Sequence, residues 1–149
     1  KIHEDATCLY SEILLPGRVT YGESFLYEMF YSRFKATDLS GSFRCLDNMV
    51  FSPKTSNPRS CGILGNWEIV ANIYLLTKKV ESKMLNAEIE GSLQKADNIY
   101  IASTVLPHSD GIIIRILGRK SIDVERVCKQ IWNLIRMKLY GKPAPNLRK

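Results

Sequence analysis

The sequence predicts a mainly β fold of the α+β class, with layered, largely antiparallel, β-helical-like sheets and two late α-helices packed on them. Three observations point there. Extended, apolar-rich segments separated by Gly, Pro, Asn and Asp fill most of the first 77 residues. The apolar period changes from two to about 3.6 only after Ser82, and the order then runs β-α-β-β-α. Composition is that of a globular protein, 45% hydrophobic and 24% charged in 149 residues, enough chain for one domain spanning 1–149 with a real core. No apolar run is long enough to span a membrane as a helix, and no internal period marks a repeat protein.

Residues 6 to 15 read as the first strand, with apolar groups on both faces, which suggests cover on both sides. Glu12 is the odd residue among Leu9, Tyr10, Ile13 and Leu14; an inward carboxylate there needs a partner or water. A corner follows. Pro16 fixes its own φ and lacks a donor, Gly17 and Gly22 supply backbone freedom, and Arg18 and Glu23 are spaced to brace the bend as an ion pair. Residues 24 to 37, rich in Phe, Tyr and Met, form a second long strand. Asp38-Leu39-Ser40-Gly41-Ser42 turns the chain, and Phe43 to Phe51 returns as the third strand of a hairpin, with Asp47 at its middle.

Ser52 to Gly65 is a long Pro-, Gly-, Ser- and Asn-rich loop of a length that is often functional. Trp67 to Thr77 is a strongly apolar strand ended by Lys78-Lys79. From Ser82, the residues Leu85, Ile89, Leu93 and Ala96 recur at helical spacing, Gly91 costs roughly 1 kcal/mol relative to Ala, and Asp97-Asn98 stops the helix. Ile99 to Leu106 and Ile112 to Leu117 are strands joined through Pro107-His108-Ser109-Asp110-Gly111, where Asp-Gly is a turn signal. Ser121 is placed to cap a long final helix, with Asp123 and Glu125 in its first turn and Arg136 and Lys138 near its end, matching the helix dipole. Its stripe is Val124, Val127, Cys128, Ile131, Leu134, Ile135 and Leu139, and Gly141 and Pro143 terminate it.

Charge is uneven. Residues 1–110 hold 11 Lys and Arg against 13 Asp and Glu, a net of −2, whereas residues 111–149 hold 10 against 2, a net of +8. That asymmetry marks either a merely solvated basic face or a surface for an acidic partner, protein or nucleic acid. No nucleic-acid reading motif accompanies it, so nucleic acid is the alternative rather than the expectation. Cys8, Cys45, Cys61 and Cys128 form no CxxC or CxxH pair and read as small buried hydrophobes in a reduced cytoplasm. His3 and His108 are far apart, and no two ligand-type residues form a CxxC pair or stand i,i+4 on a predicted helix, so no tight metal cage and no tightly bound cofactor is expected. A hydrolase built from Cys61, or a serine, with His108 lacks any supporting motif, and no phosphate loop is present.

Leu15-Pro16-Gly17-Arg18 followed by Gly22-Glu23-Ser24-Phe25 resembles the signature stretch of the UreD/UreH family of urease accessory proteins. Phe43 to Phe51, acidic at Asp47, resembles that family's apolar-acidic-apolar segment. Ile116-Leu117-Gly118-Arg119, Trp132, Arg136, Gly141 and Pro143-Ala144-Pro145-Asn146-Leu147-Arg148 are similar to its C-terminal pattern. The chain opens Lys1-Ile2-His3-Glu4-Asp5, without an initiator Met, and reads as the C-terminal half of such a protein. The resemblance implies a cytoplasmic, non-catalytic scaffold and nickel conduit that bridges UreF and the GTPase UreG to apo-urease, carrying nickel(II) only transiently. Glu12 and Asp47 match the family's acidic strand positions and are expected to line or support the path. The bland reading pairs Glu12 with Arg18 or Arg44 and lets Asp47 accept backbone amides. Trp67, Trp132, Tyr27, Phe30 and Tyr31 are candidate partner anchors or core.

Overall fold

The computed structural model describes residues 1–92 and 97–145. In chain order these form strands β1 (Cys8–Leu14), β2 (Phe30–Thr37), β3 (Phe43–Phe51) and β4 (Ile69–Leu76), helix α1 (Ser82–Ser92), strands β5 (Ile99–Val105) and β6 (Gly111–Gly118), and helix α2 (Ser121–Tyr140). One sheet has the order β1-β4-β6-β5, and β2 and β3 make a separate hairpin. Every pairing is antiparallel. The expected mainly β class with two helices is what the chain adopts, and no closed barrel forms among the described residues.

Strand β4 organises the molecule because it is buried at all eight positions. Its side chains alternate across the sheet. Ile69, Ala71, Ile73 and Leu75 join Ile112, Ile114 and Ile116 of β6 in a core closed by Leu85 and Ile89 of α1 and by Val124, Cys128, Ile131 and Ile135 of α2. Each fully buried isoleucine contributes about 1.5–3 kcal/mol. The opposite face, with Tyr74 and Leu76, packs on Ala36 and Cys45 of the hairpin. The result is three layers, helices on sheet on hairpin. Leu93 and Ala96 of the predicted helical stripe lie outside the described residues.

Several expectations shift. The second strand begins at Phe30 rather than at 24, because Gly22 and Phe25 both have φ > 0 and the Phe25 amide donates back to the Pro16 carbonyl, so the chain is still turning. Strand β1 lies at the sheet edge, mostly half-buried, rather than fully covered. The β5–β6 connection runs through the expected residues and is built on a 3-10 turn, Pro107–Ser109, with His108 and Ser109 at φ 60° and 55°. Gly111 opens β6, where a Cβ would lie 1.9 Å from the Leu75 carbonyl oxygen. Ser121 is the first helical residue, the cap position is Lys120, and no side chain caps that end. Gly141 does end α2 in the left-handed conformation, its amide bonded to Met137 O.

Candidate functional site

Packing the hairpin onto the sheet traps a polar seam between the two layers, and both predicted acidic residues lie in it. Register aligns Glu12 of β1, Asn72 of β4 and Arg115 of β6 in one row across the sheet, all on the face toward the hairpin. The two Glu12 carboxylate oxygens accept separately, one from Ser32 Oγ at 2.8 Å and the other from Asn72 Nδ2 at 3.0 Å. Both donors are neutral. The amide oxygen of Asn72, which is 1% exposed, has no hydrogen-bond partner among the described residues.

Asp47 sits differently. Its Oδ2 accepts from the Tyr74 hydroxyl at 2.8 Å and from Arg115 Nη2 at 2.8 Å, so this carboxylate already holds a counter-ion. Burial, and then the Asp47 hydrogen bond, push the Tyr74 hydroxyl well above its ordinary pKa, which keeps it a neutral donor. Phe34, opposite Asp47 in the hairpin, stacks on Tyr74 with centroids 4.1 Å apart and on Tyr10 at 5.5 Å. The bland partners expected from sequence are therefore replaced. Glu12 pairs with neither Arg18 nor Arg44, and Asp47 takes side-chain donors in place of backbone amides. Arg18 is bound to Glu23, and Arg44 Nε donates to Asp110 Oδ2 at 3.2 Å while Arg44 Nη1 is buried without a partner among the described residues.

At the corner, Arg18 grips Glu23 through Nε at 2.7 Å and Nη2 at 2.9 Å, a bidentate geometry. Pro16 is buried, and Gly17 at φ +128° brings its Cα so near the Glu23 carbonyl that a Cβ would lie 2.6 Å from the oxygen. Gly22 closes the short 3-10 turn Val19–Tyr21 in the left-handed conformation. A cleft of ≈ 560 Å³ runs from this corner to Arg119 and Lys120 at the start of α2. A second, largely apolar cleft of ≈ 410 Å³ opens beside Arg115, between Met49 and Phe51 of the hairpin and Ile63 and Leu64 of the long loop.

The predicted anchors divide. Trp67 is half-buried beneath the Arg119 guanidinium, 5.4 Å from its ring centroid, and Trp132 packs on the helix-side core. Tyr27 lies edge-on to Phe51 before the strand begins, and burial raises its hydroxyl pKa. Phe30 is half-buried, whereas Tyr31 is exposed. Cys45 and Cys128 are buried as expected, but Cys61 is exposed on the loop and Cys8 is half-buried. Cys61 lines a cleft with Leu117 and Arg119, and His108 one with Asp110. The length of β6, about 25 Å, separates them, so they form no dyad. No group of three His, Cys, Asp or Glu among the described residues stands close enough to hold a metal ion, and no described helix is long and apolar enough to cross a membrane.

Ser32, Asn72, Tyr74 and Arg115 were not singled out from sequence. The signal present was one polar residue, Asn72 or Arg115, interrupting each of two apolar strands.

Comparison with known proteins gives the chain its family. Residues 1–149 match the family described as UreD urease accessory protein. Urease accessory protein UreD 2 of Brucella suis biovar 1 (strain 1330) is 30% identical over 146 residues, 97% of this chain and 48% of its own length. Urease accessory protein UreD of Photorhabdus laumondii subsp. laumondii is 28% identical over 146 residues, covering 97% of this chain and 46% of the relative. UreD of Cenarchaeum symbiosum is 28% identical over 148 residues, 99% of this chain and 52% of the relative. The chain thus spans about half the length of the curated relatives it matches.

Proposed function

Because the chain belongs to the UreD family of urease accessory proteins, we propose that it is a non-catalytic scaffold in urease metallocentre assembly, bridging UreF and UreG to apo-urease. The single observation that carries this reading is the family match over residues 1–149. The layered body suits such a role: two helices and a hairpin clamp a four-stranded sheet and leave clefts at the surface. In this reading the chemistry of nucleotide hydrolysis belongs to UreG, and the setting is the cytoplasm.

Nickel(II) is then cargo. The seam between sheet and hairpin offers oxygen donors, namely the Glu12 carboxylate, Ser32 Oγ and the unpaired Asn72 amide oxygen. Oxygen ligands hold a late first-row cation more weakly than imidazole or thiolate, which favours release over storage. Glu12, whose donors are neutral, is the better waypoint. Asp47 can take a cation only after Arg115 moves aside, which makes it a supporting group first.

The nucleic-acid reading loses ground to this one. Of the C-terminal basic residues, Arg115, Arg126 and Lys138 are bound to Asp47, Asp123 and Glu88. Co-purification tests the scaffold directly. UreF is expected to be retained by the tagged protein, with little sensitivity to salt. Failure of a protein of the relatives' full length to retain UreF, or a steeply salt-dependent affinity for DNA in its place, would overturn the reading.

A further inference from the structure

The outward face of the β2–β3 hairpin is not composed like a solvated surface. The inward positions are occupied: Ser32 donates to Glu12, Phe34 stacks on Tyr74, Asp47 accepts from Tyr74 and Arg115, and Ala36 and Cys45 are buried. The outward positions alternate with these. Tyr31 stands opposite Val50, Arg33 opposite Asn48 and Lys35 opposite Leu46, with Phe43 beyond the register shift. All are exposed, Tyr31 by 54%, Val50 by 63%, Leu46 by 46% and Phe43 by 60%.

None of these outward positions carries a carboxylate. Neither Arg33 nor Lys35 forms an ion pair with a described residue, and the Lys35 ammonium lies 5.1 Å from the Phe43 ring centroid. Strand propensity accounts for an occasional exposed Tyr or Val, and charged gatekeepers on an exposed hairpin account for Arg33 and Lys35. Neither accounts for four large apolar side chains and two uncompensated cations on one small face. Because the reverse side of the hairpin is packed on the sheet, this face is rigid before any partner arrives, and binding there orders little.

We propose that this face binds an acidic, amphipathic segment of a partner protein. Its apolar side chains would cover Tyr31, Phe43, Leu46 and Val50, and its carboxylates would meet Arg33 and Lys35. The inference deepens the scaffold reading and rests on it only in taking the partner to be a protein. Charge selects this occupant over a second copy and over a membrane. A second copy of the chain would set like charges against each other, and an anionic membrane surface is held by clusters of about 4–8 Lys and Arg rather than two.

Two fluorescent synthetic helical peptides with the same Leu-rich apolar face, one with Glu and one with Lys on the polar face, test this by anisotropy. The Glu peptide is expected to bind and the Lys peptide not to. Leu46→Glu with Val50→Glu should weaken the Glu peptide about tenfold or more. Arg33→Glu with Lys35→Glu should move the preference to the Lys peptide. These side chains are exposed, and circular dichroism with thermal midpoints establishes that each variant folds. Equal binding of both peptides, or indifference to both variants, overturns the proposal. So does stronger binding to phosphatidylserine vesicles, or a dimer in sedimentation that Leu46→Glu with Val50→Glu abolishes. Retention of UreF by a chain that binds neither peptide removes this surface and leaves the scaffold standing.

Discussion

Asn72 sits at the centre of a fully buried strand, and packing does not explain it. Its amide donates to Glu12 and leaves one oxygen unpaired, a cost that an apolar residue would avoid. Glu12 was legible as the anomaly of its strand, and Asp47 as the acid of its segment. Their partners were not, because Ser32, Tyr74 and Arg115 arrive from 20 to 68 residues away along the chain. Tyr74→Phe removes a hydrogen bond to a charged acceptor while keeping the stacked ring, and should cost about 1–2 kcal/mol in urea denaturation.

Cys128 gives a pH signature. Burial pushes its thiol from 9.0 up to about 11. The folded state therefore holds this proton more tightly, a stabilisation complete below the unfolded thiol's pKa and lost as pH climbs from about 9 to about 11. A difference of that size is worth about 2–3 kcal/mol. Cys128→Ala should flatten the loss of stability across that window. Thiol-exchange reagents at neutral pH should label the exposed Cys61 first, and Cys128 only on unfolding. His108 holds φ 60° without being glycine. His108→Gly should stabilise by about 0.5–1 kcal/mol, the relief of left-handed strain exceeding the added unfolded-state entropy.

Among the elements, the hairpin is tied to the β5–β6 end by a mostly buried Arg44–Asp110 pair, with side chains 5% and 15% exposed. Asp110→Ala leaves that guanidinium buried without its counter-ion and should cost about 3–5 kcal/mol, whereas Arg44→Met with Asp110→Ala, which removes both charges, should change stability by only about 1 kcal/mol in either direction. Denaturant midpoints distinguish the two. Asp110 had been legible as a turn residue beside a glycine. Its long-range ion pair with Arg44 and the close approach of Gly111 to Leu75 were not legible, since neither leaves a local pattern. Strand β4 and helix α2 were legible nearly to their ends, because the unbroken apolar run of one and the apolar stripe of the other match how they are buried. Strand β3 was legible from the turn and loop that bracket it, although its Phe43, Leu46 and Val50 are exposed. The start of β2 was not. Aromatic residues at Phe25 and Tyr27 mimic strand propensity where they in fact pack edge-on against Phe51.

For the whole molecule, family membership came from short motifs at two ends of the chain, and layering from the change of period between them. Sequence alone did not show that the hairpin would fold back to make a seam, since hairpin and sheet pair with themselves and meet only through side chains. The proposed nickel path runs through that seam. The measurement that bears most directly on it is the nickel content of urease after assembly with Glu12→Gln/Asp47→Asn, a pair of near-isosteric changes that remove both charges and with them the Asp47–Arg115 ion pair. The proposed path predicts unchanged retention of UreF and urease left with only a minor fraction of its nickel. Urease carrying its full nickel complement with the doubly neutralised protein would contradict it.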